Sequence, residues 1–320
     1  MTVADLTIPL KPTEKIAAFR NILVATDFSE ASRRALSDAL LLATENNAHV
    51  TVVHVLQHDR NYSALENPPE LDFERIEAEL QINKLVNELS PEQTVTTTMV
   101  THGPVAEAVV HVIGEKKIDL LVIGTRGRGG LQKLALGSVA EVLLRMAACP
   151  VMTIGPKADI ATIQRGPGFH TILFATDFGK GSAKALPLTL TLARKQQAKV
   201  IMMHMIPPMP AASASLSAYA PASAAADEVN EWEGTSRKRA IQQLKDCLPA
   251  ETELSQAPEF IVGTDFLAEG ILTAASQFKV DLIVMGANHA ASARIAAHIP
   301  WTAVHEVVQE APCPVLTVAG

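Results

Sequence analysis

The chain contains two diverged copies of one sequence pattern, and this internal repeat limits its fold more than any other feature. NILVATDFSEASRRAL at residues 21–36 returns as TILFATDFGKGSAKAL at residues 171–186, which is 150 positions later. Three further segments return in the same order: 49–56 at 199–206, 118–124 at 280–286, and 149–154 at 313–318. Such self-similarity indicates a duplicated domain, and 320 residues leave each copy enough chain for its own core. We predict domains at 1–160 and 168–320, connected near residues 157–168.

Each copy alternates short apolar runs with helical stretches. In the first copy NILVAT, HVTVVHV, VTTTMVT, DLLVIG and PVMTIG are β-branched or continuously apolar, which is typical of strands buried on both faces of a parallel sheet. Helices are predicted between them at 30–44, 71–89, 105–115 and 139–146. The alternation predicts an α/β fold of two tandem, doubly wound, Rossmann-like domains. Each has a five-stranded, mainly parallel sheet flanked by helices. Ligands of such sheets bind at the carboxyl ends of the strands.

The second copy is about twelve residues longer between its second and fourth strands. The extra length falls in PPMPAASASLSAYAPASAAAD at residues 207–227, which is rich in Pro, Ala and Ser. This composition predicts a surface loop.

Charge and cysteine content exclude several classes of function. A net charge of −7 argues against a general role in nucleic-acid or anionic-membrane binding, which needs clustered cations. Three cysteines without a metal-site spacing suggest reduced thiols. The first twenty residues have no signal-peptide pattern, and no apolar run has membrane-spanning length. We expect a soluble cytoplasmic protein.

A glycine-rich stretch after the fourth strand is the most informative candidate site. GTRGRGG at residues 124–130 has four glycines among seven residues, together with Arg126 and Arg128. Backbone N–H groups in such a loop can approach an anion closely, because no Cβ intervenes. Gly137 and Ser138 then open a helix, with Ser138 and Glu141 in a capping-box pattern. Because helix N-termini bind phosphate, the arrangement favours a phosphate site over the alternative of a flexible solvent loop.

Two polar residues at other strand ends are weaker candidates. Asp27 follows the first strand, where it is either a helix cap for the segment that includes Glu30 or a contact to a ribose or base. Both roles are compatible. His54 lies inside an apolar strand, and we interpret it as a hydrogen-bonded core histidine.

At these residues the chain resembles the universal stress protein family in its tandem form. Gly124, Gly127, Gly137 and Ser138 fit the family motif G-x2-G-x9-G-S/T, and the HV step at residues 54–55 and the CPV strand at 149–151 also match. The resemblance implies an ATP site in the first copy, usually with a divalent ion such as Mg²⁺. Asp27 would hold the ribose or adenine side. The main chain around Val55 would read the adenine edge, with Ala25 and Ile123 beside it. The phosphates would be cradled by Gly124, Arg126, Gly127, Arg128, Gly137, Ser138 and Val139.

The second copy departs from this motif. Asp177 and Gly286 remain, but His289 stands at the next glycine position, and Trp301 and Thr302 replace Gly137 and Ser138. A tryptophan would obstruct the approach of backbone to phosphate. We therefore predict that the second copy has lost ordinary ATP binding and acts as a structural or regulatory partner. The alternative is that His289, His298 and His305 serve another ligand.

Three functions stay open from the sequence. The first is a stress-response protein in which ATP binding drives a switch or a scaffold for an unidentified protein partner. The second is a slow ATPase or self-phosphorylating enzyme, in which Ser138 or Thr125 accepts phosphate. The third is a ligand-free dimerisation scaffold. The resemblance also implies that the last strands of the two domains pair, with 150–154 against 314–318; a homodimer of the whole chain stays open.

Overall fold

The computed structural model describes residues 19–57, 69–90, 94–125, 136–158, 168–206, 222–250, 252–264, 266–287 and 301–320. In this part of the chain the strands are β1 Asn21–Ala25, β2 His49–Leu56, β3 Thr96–His102, β4 Leu120–Gly124, β5 Val151–Ile154, β6 Thr171–Ala175, β7 Lys199–Met205, β8 Glu259–Gly263, β9 Leu282–Ala287 and β10 Val315–Ala319. The helices are α1 Glu30–Asn46, α2 Pro69–Leu89, α3 Val105–Glu115, α4 Ser138–Met146, α5 Lys180–Gln196, α6 Ala222–Asp246, α7 Leu267–Gln277 and α8 Trp301–Glu310.

All ten strands lie in one sheet with the order β3-β2-β1-β4-β5-β10-β9-β6-β7-β8. Within each half every pair of neighbouring strands is parallel, as the continuously apolar strand sequences predict. Each half therefore contributes a five-stranded parallel sheet, and the predicted fold class is confirmed.

The two halves meet through their last strands, which pair antiparallel. Met152 in β5 lies opposite Leu316 in β10, and these residues occupy equivalent positions in the two copies. A local twofold axis therefore passes through this pair. The Thr153 hydroxyl reinforces the contact by donating a hydrogen bond to the carbonyl oxygen of Val315 at 3.2 Å. The pairing expected between 150–154 and 314–318 is present.

Helices cover both faces of the sheet. The apolar core on one face is built with residues of α1, α2, α5 and α6, and the core on the other face with residues of α3, α4, α7 and α8. The connection after β1 covers one face of the sheet, and the connection before β4 covers the other face. In sheets of this kind, ligands bind at the gap between two such strands.

Several segment boundaries differ from the sequence prediction, among them the start of α6 and the end of α1. Helix α6 begins at Ala222, inside the segment predicted as a loop. The part of that segment after Pro221 is rich in alanine, which favours a helix. Helix α1 continues to Asn46, and Asn47 ends it with a left-handed φ of 52°. The domain limits at 160 and 168 stay a prediction. Within the described residues, no helix combines the length and apolarity that a membrane crossing requires.

Candidate functional site

The predicted site lies where the carboxyl ends of β1 and β4 lie side by side. Ile22 and Val24 pair with Leu120 and Val122, so the two strands run out in register toward the same edge of the sheet. Ala25 ends β1 and Gly124 ends β4. The fold thus brings together the two sequence segments that carry Asp27 and the start of the glycine-rich stretch.

A tight turn after β1 fixes the position of Asp27. The Thr26 hydroxyl accepts the Phe28 N–H at 3.1 Å, and Asp27 Oδ1 accepts the Ser29 N–H at 3.0 Å. Phe28 consequently takes a left-handed φ of 62°, which is uncommon for a residue with a side chain. Ser29, and not Asp27, is the N-cap of α1, since its hydroxyl accepts the Ser32 N–H. The helix-cap interpretation of Asp27 is therefore wrong, and its carboxylate organises the turn at the strand end.

His54 supports this turn from the neighbouring strand. Its Nδ1 lies 2.8 Å from the carbonyl oxygen of Thr26, and its ring packs against Phe28 with the ring centroids 4.5 Å apart. His204 makes the same two contacts to Thr176 and Phe178 in the second copy. His54 is hydrogen-bonded as predicted, and it is half-buried beside the core.

Gly124 is required by packing, which sequence reasoning missed. A Cβ on this residue would stand 2.7 Å from the carbonyl carbon of Ala31 and 2.9 Å from its oxygen. Helix α1 therefore lies directly against the end of β4, where any side chain would displace it. The repeat carries a signal for this, because Gly286 contacts Gly181 and Ser182 at the equivalent place even though the second copy has lost most of the motif.

The two ends of the glycine-rich loop are joined by hydrogen bonds. Thr125 is buried, and its N–H donates to the carbonyl oxygen of Ile154 at 3.1 Å. Its own carbonyl oxygen accepts the Gly137 N–H at 2.9 Å. The chain therefore leaves β4 and returns to the same point. Arg126, Gly127 and Arg128 lie outside the described residues, so their predicted roles stay predictions.

The N-cap of α4 is Gly137, which has no side chain to bond the helix N-terminus. The predicted capping box between Ser138 and Glu141 is therefore wrong: Ser138 is already inside the helix and exposed, and Glu141 pairs with Arg145 at 3.0 Å. Glu141 N–H donates to Gly137, but the first helical N–H groups, at Ser138, Val139 and Ala140, have no acceptor within the helix. These donors lie at the closed end of the loop.

The expected adenine side of the cleft is apolar. Val55 and Ile123 are buried in β2 and β4, and Ala25 is half-buried at the end of β1. The predicted site residues in the described part of the chain thus fall on three neighbouring elements of one sheet edge and on the helix that follows.

In the second copy the aspartate that corresponds to Asp27 is engaged by neighbouring groups of its own chain. Asp177 is buried, and its Oδ1 accepts hydrogen bonds from the Ser182 hydroxyl at 2.6 Å and the Gly179 N–H at 2.8 Å. The Met205 side chain fills the space beside Gly263 and Gly270, with its sulfur and methyl atoms 2.5–2.9 Å from where Cβ atoms on those glycines would stand.

Trp301 occupies the position of Gly137 in the second copy. It opens α8, and the Arg145 guanidinium of the first copy lies 4.7 Å from the centre of its ring. Among the described residues no group of three His, Cys, Asp or Glu side chains is arranged to hold a metal ion. His305 is half-buried in α8, whereas His289 and His298 lie outside the described residues.

Comparisons with known proteins match both halves of the chain to the same family. A model of the universal stress protein family matches residues 18–155 and 168–319. The universal stress protein YxiE of Bacillus subtilis is 30% identical over 146 residues, which are 42% of this chain and 99% of that protein.

Two solved structures extend this comparison. A universal stress protein from Archaeoglobus fulgidus is 16% identical, covers 93% of this chain and 96% of its own, and has a TM-score of 0.61, which is a likeness of fold. A universal stress protein in complex with cAMP is 24% identical, covers 43% of this chain and 97% of its own, and has a TM-score of 0.33.

Proposed function

Because the chain belongs to the universal stress protein family through both of its halves, we propose that its first domain binds ATP. In this proposal the protein is cytoplasmic, and bound nucleotide changes the surface that it presents to a protein partner. The proposal concerns binding; hydrolysis is a separate property that the experiment below measures.

One observation carries the proposal. At the gap between β1 and β4, Gly137 closes the loop onto Thr125 and begins α4 without a capping side chain. The N–H groups at the start of α4 therefore point their partial positive charge at the cleft with no internal acceptor. A phosphate group supplies the acceptors that such a helix end lacks.

The remaining residues suit the other parts of a nucleotide. In this proposal the carboxylate of Asp27 accepts hydrogen bonds from ribose hydroxyls, and the main chain at Val55 reads the adenine edge between Ala25 and Ile123. Gly124, Gly127, Gly137, Ser138 and Val139 surround the phosphates, and Arg126 and Arg128 add positive charge. This assignment is supported by the family motif and by the location of the described members at one sheet edge.

The donor set also suits a magnesium ion that arrives with the nucleotide. Mg²⁺ is usually held by phosphate oxygens and water with only one or two protein ligands. The described residues contain no dedicated cluster of metal ligands, and Ser138 offers one exposed hydroxyl at the start of α4. When bound, the ion would neutralise phosphate charge, while the chain's own N–H groups orient the phosphates.

The second domain is proposed as a structural partner without a nucleotide of its own. In this proposal the carboxylate of Asp177 is already engaged by Ser182, and Met205 and Trp301 stand where the first domain has the smaller residues Val55 and Gly137.

Calorimetric titration with ATP and Mg²⁺ tests the proposal. We expect one site per chain, and no binding to Gly137→Trp, which gives the first domain the residue that the second domain carries at the same position. The variant is expected to fold, because Trp301 is accommodated in α8. Gly114→Ala is the control, since a Cβ there meets no atom within 4 Å.

The competing functions give different results in the same assay. Phosphate release from bound ATP over hours would favour the slow ATPase. The absence of heat at millimolar ATP, ADP and AMP would refute the proposal and favour a ligand-free scaffold.

A further inference from the structure

The end of α8 in the second domain lies against the site edge of the first domain. A Cβ on Gly155 would stand 3.2 Å from the carbonyl oxygen of Val308. Gly155 follows Ile154, whose carbonyl oxygen accepts the N–H of Thr125. Thr125 in turn accepts the N–H of Gly137, the N-cap of α4. A short series of contacts therefore connects the last turn of α8 to the proposed phosphate end of the cleft.

The local twofold axis identifies which residue of α8 faces that end. Arg145 of the first copy lies over Trp301 of the second copy. In the repeat, Arg145 corresponds to Gln309, and Trp301 corresponds to Gly137. The axis passes through the equivalent residues Met152 and Leu316, so each contact across it has a counterpart. By this symmetry the counterpart of the Arg145–Trp301 pair is Gln309 and Gly137. Because Gly137 has no side chain, none comes between Gln309 and the start of α4.

Gln309 is half-buried, and its side-chain Nε2 atom is shielded from solvent without a hydrogen-bond partner. Its Nε2 atom is one of the few buried side-chain polar atoms, among those that the structure describes, for which no acceptor is present. Glu310 next to it pairs with Lys157 of the first domain, so this turn of α8 is held in place. A buried N–H donor without an acceptor is costly, and such groups are therefore rare in folded proteins.

We propose that Gln309 of the second domain completes the nucleotide site of the first domain by donating a hydrogen bond from Nε2 to the terminal phosphate. This inference rests on the proposed function. It assigns the second domain a direct part in binding, and it makes Gln309 a determinant of specificity for nucleoside di- and triphosphates over AMP and cyclic nucleotides, whose shorter phosphate groups do not extend to α8.

The experiment compares the affinities of ATP, ADP, AMP and cAMP for the wild-type chain, Gln309→Met and Gln309→Glu. Methionine keeps the length of the side chain and removes the N–H donor. We expect ATP affinity to fall about tenfold, the size of one hydrogen bond to a charged group, while AMP and cAMP affinities change less than about twofold. Gln309→Glu places a carboxylate beside phosphate, and we expect a larger loss for ATP.

Melting temperature provides a second readout on the same variants. Gln309→Met removes an unpaired buried donor, so the nucleotide-free protein is expected to melt at the same temperature as wild type or slightly higher. A variant that binds ATP less tightly while it is no less stable has lost a ligand contact and not its fold. Arg145→Met, at the equivalent position in α4, is the control and is expected to leave ATP affinity unchanged.

The outcomes separate the two proposals. If the wild-type chain binds ATP and Gln309→Met binds it equally well, the role of Gln309 is refuted and the proposed function stands. Equal losses for ATP and AMP would also refute it, because they indicate a general structural effect. If the wild-type chain binds no nucleotide at all, both proposals fail.

Discussion

At Gly124 and Gly286 a helix N-terminus approaches the end of a strand so closely that no side chain fits between them. A Cβ on Gly286 would stand 2.1 Å from the Ser182 N atom, and one on Gly124 would stand 2.7 Å from the Ala31 carbonyl carbon. Both distances are too short for real contacts. The first glycine of the motif thus has a packing role in each copy, and its retention in the second copy says nothing about a ligand there.

We predict that alanine at either position destabilises the protein, more strongly at Gly286 than at Gly124. Overpacking against backbone costs about 1–3 kcal/mol or more, since the helix has to move. Urea unfolding of both variants measures the loss of unfolding free energy.

Gly114→Ala in α3 and Gly234→Ala in α6 are the matched controls. A Cβ at either site meets no atom within 4 Å, so alanine should stabilise its helix by about 0.5–1 kcal/mol. A Gly286→Ala variant as stable as wild type would contradict the packing argument.

Asp38 is a half-buried carboxyl group on α1 outside the proposed site. Burial raises its pKa from the ordinary 3.8 to about 6, and the nearby Arg34 guanidinium offsets this only in part. The equivalent residue in the second copy is Leu188, which is buried. The environment therefore favours an uncharged group, and ionisation of Asp38 opposes folding.

We predict that Asp38→Asn stabilises the protein at neutral pH by about 2 kcal/mol. The pKa of Asp38 is higher in the folded than in the unfolded protein. The stability that its protonated carboxyl group contributes is therefore fully present below pH 3.8 and is lost as pH rises through about 6. The difference in unfolding free energy between Asp38→Asn and wild type should therefore increase between these two pH values and stay constant above them. Chemical unfolding at a series of pH values measures it, and a difference that does not depend on pH would contradict the assignment.

Helix α8 makes a contact between the domains at the position where α4 carries the proposed phosphate end of the site. Trp301 begins the helix where α4 has a glycine N-cap, and its ring lies beside Arg145 of the other copy. Its replacement alone should not restore a site, because Asp177 remains bonded to Ser182 and Met205, which packs against Gly263 and Gly270, stands where the first copy has Val55. We therefore expect the predicted loss of binding in the second copy to be distributed over several elements.

We predict that Trp301→Gly leaves nucleotide stoichiometry at one per chain. The variant should lose about 1–3 kcal/mol of stability, since an aromatic side chain that packs against the core is removed. Calorimetric stoichiometry together with thermal unfolding tests both expectations. A second bound nucleotide would show that Trp301 is the sole obstruction.

In the whole molecule the junction between β5 and β10 makes one sheet from two. All four residues of β5 are buried, and its outer edge is covered only by β10. Without the second domain this edge would present unpaired N–H and C=O groups and an apolar surface, which favours pairing with another chain.

We predict that the first domain alone, expressed as residues 1–160, forms a homodimer through β5. Because Met152 already pairs with its own equivalent, two first domains can adopt the same antiparallel register with Met152 opposite Met152. Analytical ultracentrifugation at micromolar concentration measures the mass. Thr153→Glu should give a monomer, since each chain would bury an unpaired carboxylate opposite Val151 of the other chain. A wild-type fragment that sediments as a monomer would contradict the prediction.

The sequence by itself determined the features that depend on local patterns. The duplication, the alternation of strands and helices and the edge of the sheet that carries Asp27 and Gly124 were all predictable, and helix α3 was predicted to the residue at Val105–Glu115. Apolar periodicity and turn residues act over a few positions, so they are visible in the chain alone.

Only the tertiary structure decided features that depend on residues far apart in the chain. It made Gly137 and not Ser138 the N-cap of α4, gave Gly124 a contact to Ala31, tied Asp177 to Ser182, and brought the turn of α8 that carries Gln309 to the edge of the first domain. The physical reason is that close packing fixes side-chain neighbours in space. No local pattern records which surfaces of α1, α4 and α8 meet when the two halves of the sheet join.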